Sequence, residues 1–258
     1  MCRQPAPLVS SLTRMLSVLD LFSRDHTTMT AEQIAEALSL TRTTCYRYTR
    51  ELSLAGLLVS HDGHFMLGPR IIELDHRMVQ ADPLINVGGP VVNALAVAVG
   101  ATGLLTTTYN DKVVNVYSYS GSSQPLPMSF GRGTTMPTFR SSTSKMLLAM
   151  MSRGRLQRLF NKHAQDPDCQ AIGSTWLDFW RALQEIRQQG YAVSLGELNR
   201  GLAGLSVPVS YGSGELAGCM SLIFARAQFN RFDVAVLAPR LVAAADQIAR
   251  SLSSVAGR

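Results

Sequence analysis

The stretch TAEQIAEALSLTRTTCYRYTR, residues 30–50, constrains the fold more than any other. Thr30 followed by Gln33 forms a capping box, in which each side chain satisfies a free backbone N–H of the other. Ala31, Ile34, Ala35 and Leu38 then fall on one face at helical spacing. Ser39-Leu40 makes a tight turn. In the next helix Cys45, Tyr48 and Leu52 recur at i, i+3 and i+7, so that stripe packs inward. The opposite face carries Arg42, Thr43, Tyr46, Arg47 and Arg50, with no acid until Glu51. Cationic forks, hydroxyls and a phenol on an exposed helix suit the major groove of DNA. A solvated basic surface is the bland reading of the same arginines.

The residues after this helix favour the first reading. Leu58 to Leu67 reads as a β-hairpin around Asp62-Gly63, a dipeptide that favours tight hairpin turns. Helix, helix and hairpin in that order make a winged helix-turn-helix, a more specific signal than the helix pair. His61 and His64 flank the wing turn and come near the DNA backbone or minor groove. Leu8 to Phe22 is expected to be a third supporting helix, capped by Ser10 or Ser11, with an apolar stripe of Leu12, Met15, Leu16, Leu19 and Phe22.

A second domain comes next. Arg70 to about Gln80 reads as a helical linker, interrupted at Asp82-Pro83, and Pro83 to Val99 as a helix that kinks or breaks at Gly88-Gly89-Pro90. The domains are therefore set at 1–69, a linker at 70–82, and 83–258. From Gly100 the period changes to two. Leu104–Tyr109 and Val113–Tyr119 are strands about an Asn110-Asp111 turn, with Gln124 to Phe130 a candidate third. Helices are expected over 141–151, 153–162 and 174–189, the last two joined by a polar loop around Pro167. Strands at 191–195, 202–209 and 216–224 precede a closing helix, 231–252. Two strand blocks with helices before, between and after give an α+β fold.

Charge and cysteine usage set limits. The net charge is +6, yet up to Arg77 eight arginines meet eight acids, so DNA affinity depends on local placement of cations. Cys2, Cys45, Cys169 and Cys219 show no C-x-x-C spacing, which argues for reduced thiols and against a zinc site or disulfide framework. No apolar run approaches the roughly 18 residues of a membrane span, and the N-terminus lacks a signal-peptide core; a cytoplasmic protein is expected.

Enzyme readings are weak. Ser142-Thr143-Ser144-Lys145 matches Ser-x-x-Lys, but the Ser-Asp-Asn and Lys-Thr-Gly strings that accompany that nucleophile motif are missing. There is no Gly-x-Ser-x-Gly elbow. Gly131-Arg132-Gly133 lacks the third glycine of a dinucleotide site. Glu197 and Asp111 read as unpaired turn residues. No catalytic residue, metal or cofactor is expected; a protein-interaction adaptor that uses its winged helix without DNA is the other alternative.

Taken together, several co-linear strings resemble the isocitrate-lyase-regulator (IclR) type of bacterial transcription factor over nearly the whole chain. They are Ser11-Leu12-Thr13-Arg14, Ile34-Ala35, Arg42-Thr43-Thr44 with Tyr46-Arg47, and Leu67-Gly68-Pro69-Arg70. Pro137 with Lys145, Leu147-Leu148-Ala149, Gly190-Tyr191-Ala192 and Pro208-Val209 continue the match. The resemblance implies an N-terminal winged helix, a C-terminal effector domain similar to GAF and PAS-like sensors, and a homodimer or homotetramer that binds a double-stranded operator under control of a small organic acid. It places DNA contacts at Thr41, Arg42, Thr43, Thr44, Tyr46 and Arg47, with Arg50 added on helical geometry.

For the effector the resemblance implies Ser142, Thr143, Ser194, Gly204, Ser221 and Ile223. Cys219, Ser221 and Ile223 alternate onto one strand face, and Ser141 opens a helix whose free N–H groups attract carboxylates. Relatives often carry Pro-Leu-His-Ala where this chain has Pro137-Thr138-Phe139-Arg140. Those that bind small oxo-acids carry an acid and a thiol at the positions of Ser194 and Gly204. With Met136 and Phe139, these departures predict a roomier, less polar pocket for an aromatic or larger organic acid, with Arg140 or Arg132 as carboxylate partner.

Overall fold

A computed structural model describes residues 10–256 of the chain, which divides into two compact units at Ala81/Asp82. Leu8, Val9 and Cys2 lie outside the described residues.

The first unit starts with α1 (Ser11–Leu16), whose cap is Ser10: its Oγ accepts from Thr13 N at 3.1 Å. The helix stops at Leu16, and a 3-10 turn (Leu19–Leu21) follows. The expected stripe holds in part: Met15, Leu19 and Phe22 pack against the core, but Leu12 and Leu16 are exposed and the fully buried residue is Val18. β1 (Met29–Thr30) leads into α2 (Ala31–Ala37), which carries the predicted capping box: Gln33 N donates to Thr30 Oγ1, and Thr30 N to Gln33 Oε1. Ser39, at φ 50°, makes the turn into α3 (Arg42–Leu54). β2 (Leu58–His61) and β3 (His64–Leu67) form the wing, with His61 paired to His64 across the turn. Asp62 and Gly63 both have positive φ (49° and 77°), as a two-residue hairpin of this hand requires. β1 adds to the other edge of β3, giving the order β1-β3-β2. Val18, Ile34, Cys45, Leu52 and Leu58 fill the core beneath. α4 (Arg70–Ala81) ends the unit, its first residue tied back where Arg70 Nη1 donates to Ala55 O.

The second unit opens with α5 (Pro83–Val99), capped by Asp82 and closed by Gly100 at φ 67°. It is one helix through Gly88-Gly89-Pro90, so the expected break is absent. The glycines serve packing instead. A Cβ on Gly88 would sit 2.8 Å from Leu105 Cδ1, and one on Gly89 3.3 Å from the Tyr117 ring. β4 (Thr102–Tyr109) and β5 (Lys112–Ser120) form the predicted hairpin, with Asn110 and Asp111 at positive φ. Residues 124–130 are not a strand: Pro125 and Pro127 remove ladder donors. Only β6 (Thr135–Met136) pairs with β5 on that side.

Next come α6 (Ser142–Met150), α7 (Arg153–His163), α8 (Pro167–Ile172) and α9 (Trp176–Gln189). α8 replaces the loop expected around Pro167; Asp166 caps it and Pro167 takes the first helical position. β7 (Ala192–Leu195), β8 (Leu202–Ser210), β9 (Leu216–Ala225), the short α10 (Arg226–Phe229) and α11 (Val234–Ala256) complete the chain. The sheet runs β6-β5-β4-β9-β8-β7, each neighbouring pair antiparallel. α5 and α11 cover one face, and α6, backed by α9, covers the other. This is the expected two-domain α+β architecture with an antiparallel sheet and flanking helices.

Candidate functional sites

In the first unit, Thr41 caps α3 by accepting from Thr44 N at 3.3 Å, and it donates to Thr44 Oγ1 at 2.9 Å. Cys45, Tyr48, Thr49 and Leu52 face inward, and the Cys45 thiol donates to Ala31 O, pinning α3 to α2. Burial, with the Glu32 charge adding to it, raises the Cys45 pKa. Arg42, Thr43, Tyr46, Arg47 and Arg50 are all exposed, while Thr44 is half-buried. None of the three arginines is ion-paired among the described residues. The Arg47 guanidinium rests 5.5 Å from the centre of the Tyr48 ring. On the wing, His61 Nδ1 lies 3.2 Å from Asp62 Oδ2, and His64 Nδ1 lies 3.0 Å from Asp62 O. An exposed, uncompensated basic helix beside a β-ribbon is chemically suited to phosphates and base edges.

The second unit holds a half-open cavity on the α6 side of the sheet, with about 430 Å³ of empty space that includes the solvent at its mouth. Met136, Ser141, Ser142, Thr143, Ser194, Gly204 and Ile223 line it, as expected from sequence. Phe139, Arg140, Cys219 and Ser221 do not. Phe139 is buried in an aromatic cluster, edge-on to His163 and Phe179. Arg140 Nε donates to Glu197 O at 3.0 Å and lies 3.7 Å from Asp168, while Arg132 Nε donates to Val116 O. Both arginines named as carboxylate partners thus stand outside the cavity lining and bind backbone carbonyls, carbonyls that sequence distance concealed. Ser221 and Cys219 share the strand face of Ile223 but stand further along it. Burial pushes the Cys219 thiol up to about 12, against hydrogen bonds with Ser221 and Ser206 that pull it down.

Lining residues that sequence reasoning missed come mostly from the cavity's roof. Met128 and Phe130 belong to the segment expected as a strand, and Glu197, Leu198 and Asn199 follow β7. Ser129 Oγ donates to Asn199 Oδ1 at 2.9 Å and joins the two roof segments. The alternation of Leu126, Met128 and Phe130 was the available signal. Glu197 is not unpaired, since Lys145 Nζ lies 2.6 Å from its Oε1; nor is Asp111, which binds Arg155 at 2.7 Å. In the Ser-x-x-Lys string, Ser142 Oγ accepts from Ser206 Oγ and Lys145 is held by Glu197.

Ser141 caps α6 from a strained backbone (φ 117°), accepting from Ser144 N at 3.1 Å. The N–H groups of Ser142 and Thr143 remain as free donors of the first turn. One end of the cavity therefore offers donors and the positive end of a helix dipole. Leu104, Phe130, Met136 and Ile223 supply apolar walls. Among the described residues, no group of three or more His, Cys, Asp or Glu is placed to hold a metal ion. No single described helix is long and apolar enough to cross a membrane.

Both units match known protein families. Residues 11–62 match the IclR helix-turn-helix domain, and residues 76–250 match the bacterial transcriptional regulator IclR C-terminal domain. The p-hydroxybenzoate hydroxylase transcriptional activator of Acinetobacter baylyi is 25% identical over 220 residues, which are 83% of this chain and 81% of that protein. Two crystal structures share the fold at 23% identity. An IclR transcriptional regulator from Alicyclobacillus acidocaldarius superposes with a TM-score of 0.79 over 94% of this chain and 98% of its own. An IclR homologue from Microbacterium hydrocarbonoxydans, complexed with 4-hydroxybenzoate, gives 0.73 over 95% and 100%. With family matches spanning both units, this chain belongs to the IclR family of bacterial transcriptional regulators, a DNA-binding helix-turn-helix joined to an effector domain.

Proposed function

We propose that the protein senses an aromatic or comparably large organic acid in the cavity beneath α6 and transmits its presence to a near-palindromic operator. The observation that carries this reading is the pairing of an apolar chamber with a helix N-terminus that keeps two N–H groups free beside its Ser141 cap: ring against Leu104, Phe130, Met136 and Ile223, carboxylate against the Ser142 and Thr143 N–H and hydroxyl groups. Gly204 and Ser194 leave room for a ring where bulkier side chains would not. The 4-hydroxybenzoate complex of the Microbacterium homologue supports an aromatic acid. The carboxylate is met by dipoles rather than by a cation, since Glu197 is the one ionisable residue in the lining among the described residues.

The working protein is a cytoplasmic homodimer or homotetramer, without catalytic chemistry. Residues 1–69 read DNA, 70–82 connect, and 83–258 bind effector and assemble. In each protomer Thr41 to Arg50 enters the major groove, and His61 and His64 approach the backbone. Two such units read half-sites about 34 Å apart. The effector shifts operator affinity by its differential affinity for two placements of the DNA units. Calorimetric titration with matched panels of aromatic and two- or three-carbon acids tests this. Saturable binding of ring acids is expected, and binding of the small acids alone would overturn it.

A further inference from the structure

Behind the cavity wall lies a chain of four hydroxyls, each at most 1% exposed: Ser142, Ser206, Ser221 and Thr143. Ser206 Oγ donates to Ser142 Oγ at 2.8 Å, Ser206 and Ser221 are 2.8 Å apart, and Ser221 and Thr143 are 2.9 Å apart. A longer contact of 3.3 Å also joins Thr143 to Ser206. The two ends, Ser142 and Thr143, line the cavity; the two middle members do not. A hydroxyl has one proton to donate. Four hydroxyls joined by the three short bonds use three protons, so one is left over at an end. Running from Thr143 through Ser221 and Ser206 to Ser142, as the Ser206 bond does, the chain leaves the Ser142 proton for the cavity. Neither the longer contact nor the 3.8 Å contact of Cys219 Sγ with Ser221 Oγ alters this, because the Ser206 proton is given to Ser142 and the Ser221 proton to Ser206, which leaves the thiol as donor. Each bond in such a buried chain polarises the next.

Resting on the acid-sensing reading, we infer that Ser206 is a positioning residue for the effector: it acts through Ser142, occupying one of that oxygen's two acceptor sites and so turning its proton towards the ligand's carboxylate. The consequence is selectivity for a charged acceptor. A carboxylate takes the spare proton in a charge-assisted hydrogen bond. The amide of the same ring takes it only through a neutral carbonyl, a weaker bond. Ser206 faces the opposite side of the sheet from Val207, which packs into the buried layer under α11, so the serine has no surface role to explain it.

The test compares 4-hydroxybenzoate with 4-hydroxybenzamide, and the tightest acid of the panel with its own amide, by calorimetry on the full-length protein. In Ser206→Ala the acid weakens about tenfold, the scale of one hydrogen bond to a charged group, while the amide, held through a neutral carbonyl, loses less, so the acid-to-amide preference shrinks. Ser206→Cys keeps the shape with a weaker donor and falls between. It also gives the answer if the alanine variant does not fold, judged by its thermal melt. An unchanged preference in a folded variant overturns the hydroxyl chain alone. Failure of the native protein to bind any acid overturns the acid-sensing reading, and Ser206's role falls with it.

Discussion

Gly204 holds the cavity open, and replacing it with alanine is the sharpest perturbation of the site. It pairs with Ser194 across the β7–β8 ladder and faces α6. A Cβ built there lies 2.6 Å from Ser142 Oγ, 2.9 Å from Ser194 Oγ and 3.2 Å from Ile223 Cδ1. Ordinary contact needs 3.4 Å or more, so two hydroxyls must give by half an ångström or more. Ser194 can rotate, being on the cavity edge. Ser142 can do so only by breaking its bond to the buried Ser206, a loss of about 0.5–1.5 kcal/mol. Overpacking of this kind costs about 1–3 kcal/mol in total. For a unit of this size each kcal/mol lowers Tm by about 2–4 °C, so Gly204→Ala should melt roughly 2–12 °C below the native protein. The methyl also occupies the space where a ring would rest. Ring-acid affinity should fall at least tenfold, while an acid of two or three carbons is spared. Calorimetry and differential scanning calorimetry on the same preparations give both readings. A variant that melts lower yet binds ring acids as before would refute the placement of the ring against Gly204.

On the DNA-reading face, Arg47→Ala should weaken operator binding by about 1–3 kcal/mol if its fork grips a base edge, and flatten the salt dependence by about one unit of slope if it holds a phosphate. A mobility-shift series across salt separates these, and no change in either removes Arg47 from the reading face. Cys219 bears on alkaline stability: its thiol, pushed up to about 12 in the folded protein, stays neutral where the unfolded chain's thiol ionises near 9. The unfolded state therefore gains as pH rises from about 9 towards 12, and stability falls over that window. By about pH 10.5 the loss reaches about 2 kcal/mol, and urea unfolding of Cys219→Ala should show a shallower decline; parallel declines would refute it.

The sequence is legible where short-range physics decides. The capping box at Thr30 and Gln33 and the Asp62-Gly63 and Asn110-Asp111 turns each involve residues within three positions of one another, and all form as expected. The exposed basic face of α3 was legible for the same reason, because helical spacing alone separates Arg42, Arg47 and Arg50 from the buried Cys45, Tyr48 and Leu52.

Errors arose where a local signal had two uses. Leu12 and Leu16 continue a helical stripe that the chain abandons after Leu16, leaving Val18 to enter the core. Gly88-Gly89 looks like a helix breaker and is instead the surface that lets α5 approach Leu105 and Tyr117. The alternation of 126, 128 and 130 is genuine, but two of its side chains roof a cavity, and the prolines between them forbid a ladder. The cavity was half legible on this principle: the Ser141 cap belongs to α6 itself, whereas the partners of Arg140, Lys145 and Ser142 sit 52 to 64 residues away. Charged side chains named from sequence as ligand partners were therefore the least dependable choices, because a long cation finds the nearest carbonyl or carboxylate the fold supplies. Backbone donors at a helix start have no such freedom. That asymmetry is why the proposed recognition of an acid rests on Ser142 and Thr143 rather than on an arginine.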